Sequence, residues 1–502
     1  MKKIISLLSI VVSLFIILSA CSNTSSSDSS DNNESKSKET VELKMAYISF
    51  GPEPADLELV QGEINKITKE EINVKVDLEP INVGQYAQQT NLMLSSGEKL
   101  DLLVTGNLSG FLDYPGQVAK GQLYPLNDLL DQHGQGIKDA LSSDYLYTPT
   151  IGEDTYGVPQ VRDLAMFRNL IIRKDLVDKY NIDLNSINTV EDLTDVFRVI
   201  KENEPDMYLM PNESTSASLV NSIGYMNGDF LADTIGVLLD SSKLEISNYV
   251  ESEQYENEIN LARKWYKAGY ILPDVATNTE SAQNLMKSGK VFAFFKSGIP
   301  YIAEKESRVV GHEVISVPIS GSFTDTSTVT KFMWLIPQSA EYPEKSMELL
   351  NLFYSNADIM NLISWGIEGK HYVKVSDNVI TYPEGVNADN IGYAPNAGWQ
   401  FGNQMLTYVW EDTPPDMWEK MVELNESAEK SAALGFIFDT SPVKTELAAV
   451  TNVISQFKAS IENGVVDPET ELPKYQEKLK QAGIDKIIEE KQKQLDKWAE
   501  TK

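Results

Sequence analysis

The chain has very few of the residues that form covalent cross-links and metal sites. Its 502 residues include a single cysteine, Cys21, and only three histidines, His133, His312 and His371. One cysteine excludes a disulfide within the chain. The histidines lie far apart, and none begins a His-x-x-x-His spacing, so a zinc site is not predicted either.

Positive charge is also scarce. The chain has 43 Lys and Arg against 74 Asp and Glu, which gives a formal net charge of -31. Phosphate binding requires clustered basic side chains, so this balance disfavours nucleic acid, and we predict no nucleic-acid partner. It also disfavours adsorption of the folded part to an anionic membrane surface.

Motifs of catalysis are missing as well. The sequence contains no Gly-x-Ser-x-Gly elbow, phosphate loop or dinucleotide fingerprint, and nothing selects one pair of its many carboxylates for glycosidase chemistry. Asn181-x-Asp183-x-Asn185 with Asp192 at the twelfth place faintly resembles a calcium loop. It lacks the glycine at the sixth place and the terminal Glu, so a loop leading into a helix is the better interpretation. We therefore predict neither an enzyme nor a cofactor.

What the chain does have begins at its N-terminus. Lys2 and Lys3 precede an apolar run from Ile4 to Leu18, which ends in Leu18-Ser19-Ala20-Cys21. A charged start, a short apolar run and small residues before a break are typical of a secretory signal peptide, here 1–20. Ending on Cys21 resembles a bacterial lipobox, which implies that Cys21 carries a diacylglyceryl group. Two acyl chains give stable membrane anchoring. The alternative is a signal-anchor helix with an incidental cysteine.

Residues 21–40 predict a tether. From Ser22 to Thr40 the chain is almost entirely Ser, Asn, Asp, Glu, Lys and Thr, without an apolar residue. Such a segment cannot bury enough surface to fold and is predicted to be disordered. The roughly 460 residues that follow are long for one hydrophobic core and suit two lobes.

The first part of this body alternates strands and helices. Leu43, Met45 and Tyr47 alternate as in a strand, and further strands are predicted around 74–78 and 100–105 with helices between them. Strand–helix–strand–helix–strand implies a parallel sheet, whose ligands lie beyond the carboxyl ends of the strands. In this segment those ends are Ser49-Phe50-Gly51 and Gly106-Asn107.

The rest of the body continues the α/β pattern. Tyr156-Gly157-Val158-Pro159 is an extended stretch suited to crossing between lobes, and the end of the chain is mainly helical, with two apolar stripes at 447–461 and 484–498. Periodicity predicts the other helices and strands. The predicted helices are 174–180, 190–203, 255–267, 281–287 and 343–354, and the predicted strands are 290–296, 314–317 and 332–336.

Aromatic residues stand beside polar and glycine residues in three predicted loops, at 364–372, 399–404 and 435–439. An aromatic ring on such a loop can stack on the apolar face of a sugar, while neighbouring polar groups bind its hydroxyls. Alternatively, these rings fill gaps between helices. Arg162, just after the predicted crossover, can hold a ligand carboxylate or pair with Asp163.

In the order and spacing of its short motifs, the chain resembles the extracellular solute-binding lipoproteins of bacterial ABC importers, in the maltodextrin-binding-like group. The C-terminal motifs are similar to those of a subgroup of oligosaccharide binders. The motifs are Leu18–Cys21, Gly97–Thr105, Tyr156–Pro159 with Arg173–Leu176, Ser288–Val291, Phe332–Pro337 with Glu344–Phe353, Trp365–Gly369, Gly435–Asp439, Pro442–Lys444 and Ala482–Asp485.

The resemblance implies an α/β fold of two lobes that close on a ligand, as in periplasmic binding proteins, with a helical C-terminal region. The first lobe is expected at 41–157 and 318–370, and the second at 158–317 and 371–502. Ligand contacts are expected in the cleft from both lobes. The candidates for stacking or edge contacts are Phe50, Asn107, Tyr156, Trp365, Trp399 and Phe438, and the polar candidates are Gln160, Arg162, Glu368, Asn403 and Asp439.

On this resemblance the protein captures an oligosaccharide outside the cell and delivers it to a two-subunit permease with a cytoplasmic ATPase. It is expected to be a monomer that touches the membrane only through its lipid anchor. Two alternatives stay open. One is a binder of peptides or another small solute, for transport or sensing, and the other is a surface glycosidase or lyase.

Overall fold

The computed structural model describes residues 39–108, 111–212, 218–224, 228–395 and 397–502. The predicted signal peptide, Cys21 and all of the predicted tether before residue 39 lie outside the described residues. Thr40–Lys502 form one compact unit. Within the described ranges, no helix combines the length and apolar character needed to cross a membrane.

The helices and strands follow the predicted alternation through the first half of the chain. In chain order the α-helices are α1 (Leu57–Ile72), α2 (Val83–Ser96), α3 (Tyr114–Ala119), α4 (Asn127–His133), α5 (Gln135–Ala140), α6 (Ser143–Leu146), α7 (Lys174–Tyr180), α8 (Leu193–Asn203), α9 (Leu219–Gly224), α10 (Glu253–Lys267), α11 (Ala282–Lys287), α12 (Ile302–Val310), α13 (Thr326–Val329), α14 (Pro343–Ser355), α15 (Ala357–Trp365), α16 (Met417–Ser427), α17 (Lys444–Ile461), α18 (Pro468–Ala482) and α19 (Ile484–Ala499).

The strands belong to two main sheets and several short pairs. They are β1 (Val41–Ser49), β2 (Val74–Asn82), β3 (Leu102–Thr105), β4 (Asn107–Leu108), β5 (Leu112–Asp113), β6 (Thr150–Ile151), β7 (Asp154–Thr155), β8 (Val158–Pro159), β9 (Phe167–Arg173), β10 (Val237–Leu238), β11 (Ile246–Ser247), β12 (Ala293–Gly298), β13 (Val314–Pro318), β14 (Phe323–Thr324), β15 (Met333–Leu335), β16 (Val373–Lys374), β17 (Val379–Thr381), β18 (Val409–Trp410) and β19 (Glu429–Lys430).

The first main sheet has the order β2-β1-β3-β15-β8. β1 pairs in parallel with both β2 and β3, which confirms the parallel sheet predicted for this segment. β15 runs antiparallel to β3 and to β8, so the predicted crossover at 158–159 is the edge strand of this sheet. β1 lies inside the sheet, and its side chains from Met45 to Ile48 are buried on both faces.

The second main sheet has the order β12-β9-β13, with both pairs antiparallel. Each main sheet has its own hydrophobic core. The first core surrounds β1 and β3, and the second surrounds β9 and α10. Two cores around two sheets give the predicted two-lobed α/β architecture.

The first core includes side chains beyond residue 370, the predicted end of the first lobe. Tyr393, Ala397 and Phe401 pack in it, and the Phe401 ring stacks on that of Phe353 with centroids 5.6 Å apart. A lobe is defined by the core to which its residues contribute. We therefore propose that the first lobe continues to about residue 401.

The C-terminal region is helical, as predicted, but has one more helix than the apolar stripes indicate. α18 lies between the two predicted helices and buries Leu472, Tyr475 and Leu479, which recur at helical spacing. Pro468 occupies its first turn, where proline is tolerated, but Pro473 lies inside the helix and obscures the pattern. All three helices contribute side chains to the second core.

Local features fix the ends of two other helices, and α8 begins at Leu193 rather than at the predicted residue 190. α2 ends at Gly97, whose φ of 70° is the left-handed conformation that glycine adopts readily. Before α8, the Asp192 carboxylate accepts the backbone N–H groups of Asn188 and Thr189 at 2.9 and 2.8 Å. Asp183 likewise accepts the N–H of Asn185 at 3.0 Å. The stretch that faintly resembles a calcium loop thus uses these carboxylates to shape the entry to a helix.

One buried carboxyl group makes the stability of the second lobe depend on pH. Glu258 on α10 is 8% exposed and accepts hydrogen bonds from the Tyr249 hydroxyl and from Gln254 Nε2. Burial raises the pKa of Glu258 to about 7, and the charges of Glu462 and Glu191 add to the effect. Because this pKa exceeds the ordinary value of about 4.3, the folded state binds more protons than the unfolded state between these values. The free energy of unfolding therefore falls as the pH rises through this window.

We expect the Glu258→Gln variant to lose less stability than the wild type between about pH 5 and pH 8, by at most roughly 3 kcal/mol. Denaturant unfolding of both proteins at the two pH values measures this difference. An equal loss in the two proteins would show that Glu258 does not titrate in this range.

Candidate functional site

A cavity of about 310 Å³ lies between the two lobes. The first lobe contributes β4, directly after the carboxyl end of β3, and the second lobe contributes the start of β9. Residues 230–232 and 320–331, which include α13, contribute the other lining side chains. The lining residues are Asn107, Leu108, Met166, Phe167, Arg168, Phe230, Ala232, Ser320, Phe323, Asp325, Ser327, Thr328 and Lys331.

Three aromatic rings form a cluster near this cavity, which we call the aromatic platform: Phe50, Phe332 and Trp399. The Trp399 centroid lies 4.8 Å from that of Phe332 and 5.9 Å from that of Phe50. Phe50 is 54% exposed, although it is a large apolar side chain. A partly exposed group of rings is a surface on which the apolar face of a ligand ring can stack.

Arg162 covers the platform from the crossover side. Its guanidinium carbon lies 4.9 Å from the Trp399 ring and 6.0 Å from the Phe332 ring, within the range of cation–π attraction. Its Nε donates to Asp163. Of the two alternatives for Arg162, the structure shows the pair with Asp163. This pair holds the guanidinium against the aromatic platform.

A small recess links the platform to the cavity. Gln160, Arg162 and Phe332 line this recess, together with Met166, Thr328 and Lys331, which also line the cavity. Gln160 is 1% exposed, and its Nε2 donates to the carbonyl of Gln400 at 3.2 Å. Among the described residues its Oε1 has no hydrogen-bond partner.

The backbone that carries Trp399 is fixed by the next residue, Gln400, which is fully buried. The Gln400 side chain accepts the N–H of Ile48 at 2.9 Å and donates to the Ile48 carbonyl at 2.8 Å. The indole of Trp334 donates to the Gln400 carbonyl at 2.7 Å. These bonds tie the platform to β1 and β15, so Trp399 stands on the rigid sheet of the first lobe.

The charges at the site differ in balance from those of the whole chain. Arg162, Arg168 and Lys331 line the cavity and the recess beside two acids, Asp163 and Asp325. Basic side chains thus outnumber acidic ones locally, although the chain as a whole is strongly acidic. Such a site offers positively charged donors and negatively charged acceptors to the hydroxyl groups of a ligand.

A buried acid stands behind the cavity wall. Asp229 is 1% exposed, and burial together with the charge of Asp325 raises the pKa of Asp229. The Asp325 carboxylate itself accepts the Thr328 N–H at 2.7 Å and the Ser327 hydroxyl at 2.8 Å. Asp325 therefore holds the short helix α13 in place at the cavity edge.

The structure brings several predicted site residues together here. They are Phe50, Asn107, Gln160, Arg162 and Trp399. Phe50 and Asn107 come after the carboxyl ends of β1 and β3, as predicted. Gln160 and Arg162 follow β8, and Trp399 precedes Gln400, which bonds to β1.

Trp365 and Glu368 lie in a different cluster. The Trp365 indole donates to the Tyr408 carbonyl at 3.1 Å, and its ring meets that of Trp410 at a centroid distance of 5.7 Å. Glu368 is exposed, and its carboxylate lies 3.7 Å from Lys374 Nζ. These groups surround the small sheet β16-β17-β18.

Tyr156 and Asn403 make local contacts and do not line the cavity. Tyr156 packs against the first core, its hydroxyl lies 3.5 Å from Asp154 Oδ2, and burial raises the pKa of Tyr156. Asn403 Oδ1 accepts the backbone N–H of Met405 at 3.0 Å and so caps a turn.

Phe438 and Asp439 brace the C-terminal helices. Phe438 packs against the second core, and Lys491 Nζ lies 5.3 Å from its ring centroid. Asp439 is exposed; its carboxylate accepts the Ser441 N–H, and its own N–H donates to Gln494 on α19, both at 2.9 Å. For this loop, the interpretation that aromatics fill gaps between helices describes the packing.

Several residues at the site were not predicted. Phe332 reads in the sequence as the first residue of a buried strand, yet it precedes β15 and joins the aromatic platform. Arg168 and Phe230 stand in segments with no local mark of a binding loop. Lys331 also lines the cavity, and its charge just before a buried strand was the only sequence signal for these residues.

Among the described residues, no three His, Cys, Asp or Glu side chains come together as a possible metal site.

Comparison with known proteins gives two family matches. A family described as bacterial extracellular solute-binding protein matches residues 51–360, and a domain of unknown function (DUF3502) matches residues 432–500. A carbohydrate ABC transporter substrate-binding protein from Streptococcus pneumoniae is 28% identical over 98% of this chain and 97% of its own length. Lipoprotein LipO from Bacillus subtilis is 24% identical over 87% of this chain and 86% of its own length.

Two similar solved structures are of a protein from the same organism, S. pneumoniae. The crystal structure of the N-glycan transport solute-binding protein NgtS from S. pneumoniae has a TM-score of 0.79 at 28% identity, over 91% of this chain and 98% of that one. NgtS in complex with Man5GlcNAc has a TM-score of 0.67 at the same identity, over 92% of this chain and 99% of that one.

Proposed function

The chain belongs to the family of bacterial extracellular solute-binding proteins, and from this premise we propose that it binds an oligosaccharide between its lobes for an ABC importer. The observation that carries the proposal is the aromatic platform beside a cavity with polar groups of both signs. Rings bind the apolar face of a sugar, and the polar groups bind its hydroxyls. Phe50, Asn107, Gln160, Arg162 and Trp399 are the proposed contacts.

The ligand class we propose is a neutral oligosaccharide of the N-glycan type. Its support is the similarity, over nearly the full length of both chains, to a transporter protein solved with Man5GlcNAc. Arg162 supports a neutral ligand, because Asp163 already balances its charge.

Binding promotes closure of the lobes in this proposal. The cavity is lined by both lobes, so a ligand that fills it has more contacts in the closed form than in the open form. A ligand shifts the equilibrium by its difference in affinity for the two states. The closed form then docks on the permease, and the chain itself catalyses no reaction.

The rest of the proposed function concerns location and assembly. Cys21 is lipidated, residues 21–40 are the tether, and the monomer meets a two-subunit permease at the outer face of the membrane. Tethering raises the effective concentration of the protein at the permease without any new contact.

Thermal unfolding of the purified protein with Man1GlcNAc, Man5GlcNAc, uronic oligosaccharides and peptides tests the proposal. A ligand at a hundred times its Kd stabilises the protein by about 2.7 kcal/mol, which raises the Tm of a chain of this size by about 3 °C. We expect a rise with Man5GlcNAc and no new reducing ends after incubation. A rise only with peptides would overturn the sugar proposal, and new reducing ends would point to a glycosidase or lyase.

A further inference from the structure

The second lobe's contribution to the cavity includes a tight loop, residues 229–236, which we call the wall loop. Phe230 and Ala232 line the cavity from this loop. At its start, Asp229 and Leu238 exchange two backbone hydrogen bonds, both 2.8 Å long. The wall loop therefore leaves and re-enters the second lobe at one point, and its tip faces the proposed ligand.

The tip of the wall loop has an unfavourable backbone conformation. Leu231 and Ala232 have φ angles of 47° and 71°, the left-handed region that residues with a Cβ rarely adopt. Asp229 Oδ1 accepts the Leu231 N–H at 2.7 Å and favours this turn. Two adjacent residues keep such angles only where their surroundings hold them.

The group that holds the far end of the wall loop comes from the last helix. Lys491 on α19 has a fully buried side chain. Its Nζ donates to Asp233 Oδ1 at 2.9 Å and to the carbonyls of Ile235 and Gly236 at 3.0 Å each. An ammonium group has three protons, so every donor of Lys491 is used on the wall loop.

A second residue of the same helix fixes the strand that follows the wall loop. Gln492 Oε1 accepts the Ile246 N–H at 2.7 Å, and its Nε2 donates to the Leu244 carbonyl at 3.1 Å. Ile246 belongs to β11, which pairs with β10 at the end of the wall loop. α19 thus holds the wall loop directly and also through its neighbouring hairpin.

We infer that Lys491 is a positioning residue for ligand binding, through which the C-terminal helices set the shape of a cavity that they do not line. The described residues that line the cavity all precede residue 332. This inference rests on the proposed function and assigns a role to the region matched by the domain of unknown function. Without the three bonds, the wall loop relaxes towards common backbone angles and moves Phe230 and Ala232.

The test compares Lys491→Met, which keeps the apolar stem and removes the ammonium, with Lys493→Met on the same helix. Lys493 is 76% exposed and pairs only locally with Glu490. Isothermal titration with Man5GlcNAc, well below the unfolding temperature, gives both the Kd and the number of sites. We expect Lys491→Met to raise the Kd about tenfold or more, with the site number unchanged, because preorganisation is lost. Lys493→Met is expected to keep the wild-type Kd.

The site number separates positioning from simple destabilisation. A variant that is only partly folded binds with the wild-type Kd at a reduced site number, and this result would overturn the inference. So would a fully folded Lys491→Met with an unchanged Kd. Absence of binding by the wild type would instead contradict the proposed function.

A milder variant keeps the inference testable if Lys491→Met does not fold. Asp233→Asn removes one charge from a carboxylate that is 32% exposed and leaves the bonds to the two carbonyls. We expect it to raise the Kd for Man5GlcNAc about threefold at full site number. An unchanged Kd in this folded variant would overturn the inference.

Discussion

Replacing Trp399 with alanine is expected to weaken binding of Man5GlcNAc between about tenfold and a hundredfold. Trp399 is the centre of the aromatic platform, in contact with both other rings and with Arg162. Truncation of a large aromatic side chain at the centre of an interface commonly costs about 2 kcal/mol or more of binding free energy. The variant also removes the ring that lies nearest to the Arg162 guanidinium. Isothermal titration measures the change.

Trp365→Ala is the matched control, because Trp365 is another partly buried tryptophan from a predicted binding loop. It stands in the cluster of Trp410 and Tyr408. We expect this variant to be less stable but to bind with the affinity of the wild type. If Trp365→Ala abolished binding and Trp399→Ala did not, the sugar site would lie at the small sheet β16-β17-β18.

Gln400→Leu is expected to lower the free energy of unfolding by about 3 kcal/mol. The substitution conserves approximate volume but leaves the N–H and carbonyl of Ile48 without their partner in a fully buried place. Each unsatisfied buried polar group costs about 1–3 kcal/mol. Denaturant unfolding at constant pH measures the loss.

Gln404→Leu, at a partly exposed position of the same segment, serves as the comparison and is expected to change stability by less than about 0.5 kcal/mol. Gln400→Leu should also weaken binding of Man5GlcNAc, because Gln400 connects the backbone of Trp399 to β1. A loss of stability equal to that of Gln404→Leu would show that the two bonds to Ile48 contribute little.

Local pattern predicted the elements that position the site. The alternation at Leu43, Met45 and Tyr47 predicted β1. The rule that ligands lie beyond the carboxyl ends of parallel strands placed Phe50 and Asn107 at the edge where the aromatic platform and the cavity lie. The rule identifies this edge because a parallel sheet aligns all of its carboxyl ends by geometry. Arg162 and Gln160 followed from the crossover.

The same patterns could not separate aromatics that belong to the candidate site from aromatics that pack inside a lobe. Trp399 and Phe438 both stand near glycine and polar residues, yet one joins the aromatic platform and the other packs on the second core. The difference arises from which distant segment covers each loop, and periodicity carries no information about that. Phe332, Phe230 and Lys491 were missed for the same reason, since each acts across a long sequence separation.

The composition of the two cores also bears on the order in which the chain acquires its structure. The second core joins Leu170 on β9 to Ile487 on α19, so its two ends are more than three hundred residues apart in sequence. Contacts of such long range form slowly, because a large loop must close first. The buried side chains of the first core lie between Leu43 and Phe401, an equally long separation, but all of them precede the C-terminal helices. The buried side chains of the second core are therefore complete only once α19 has been synthesised, later than those of the first core.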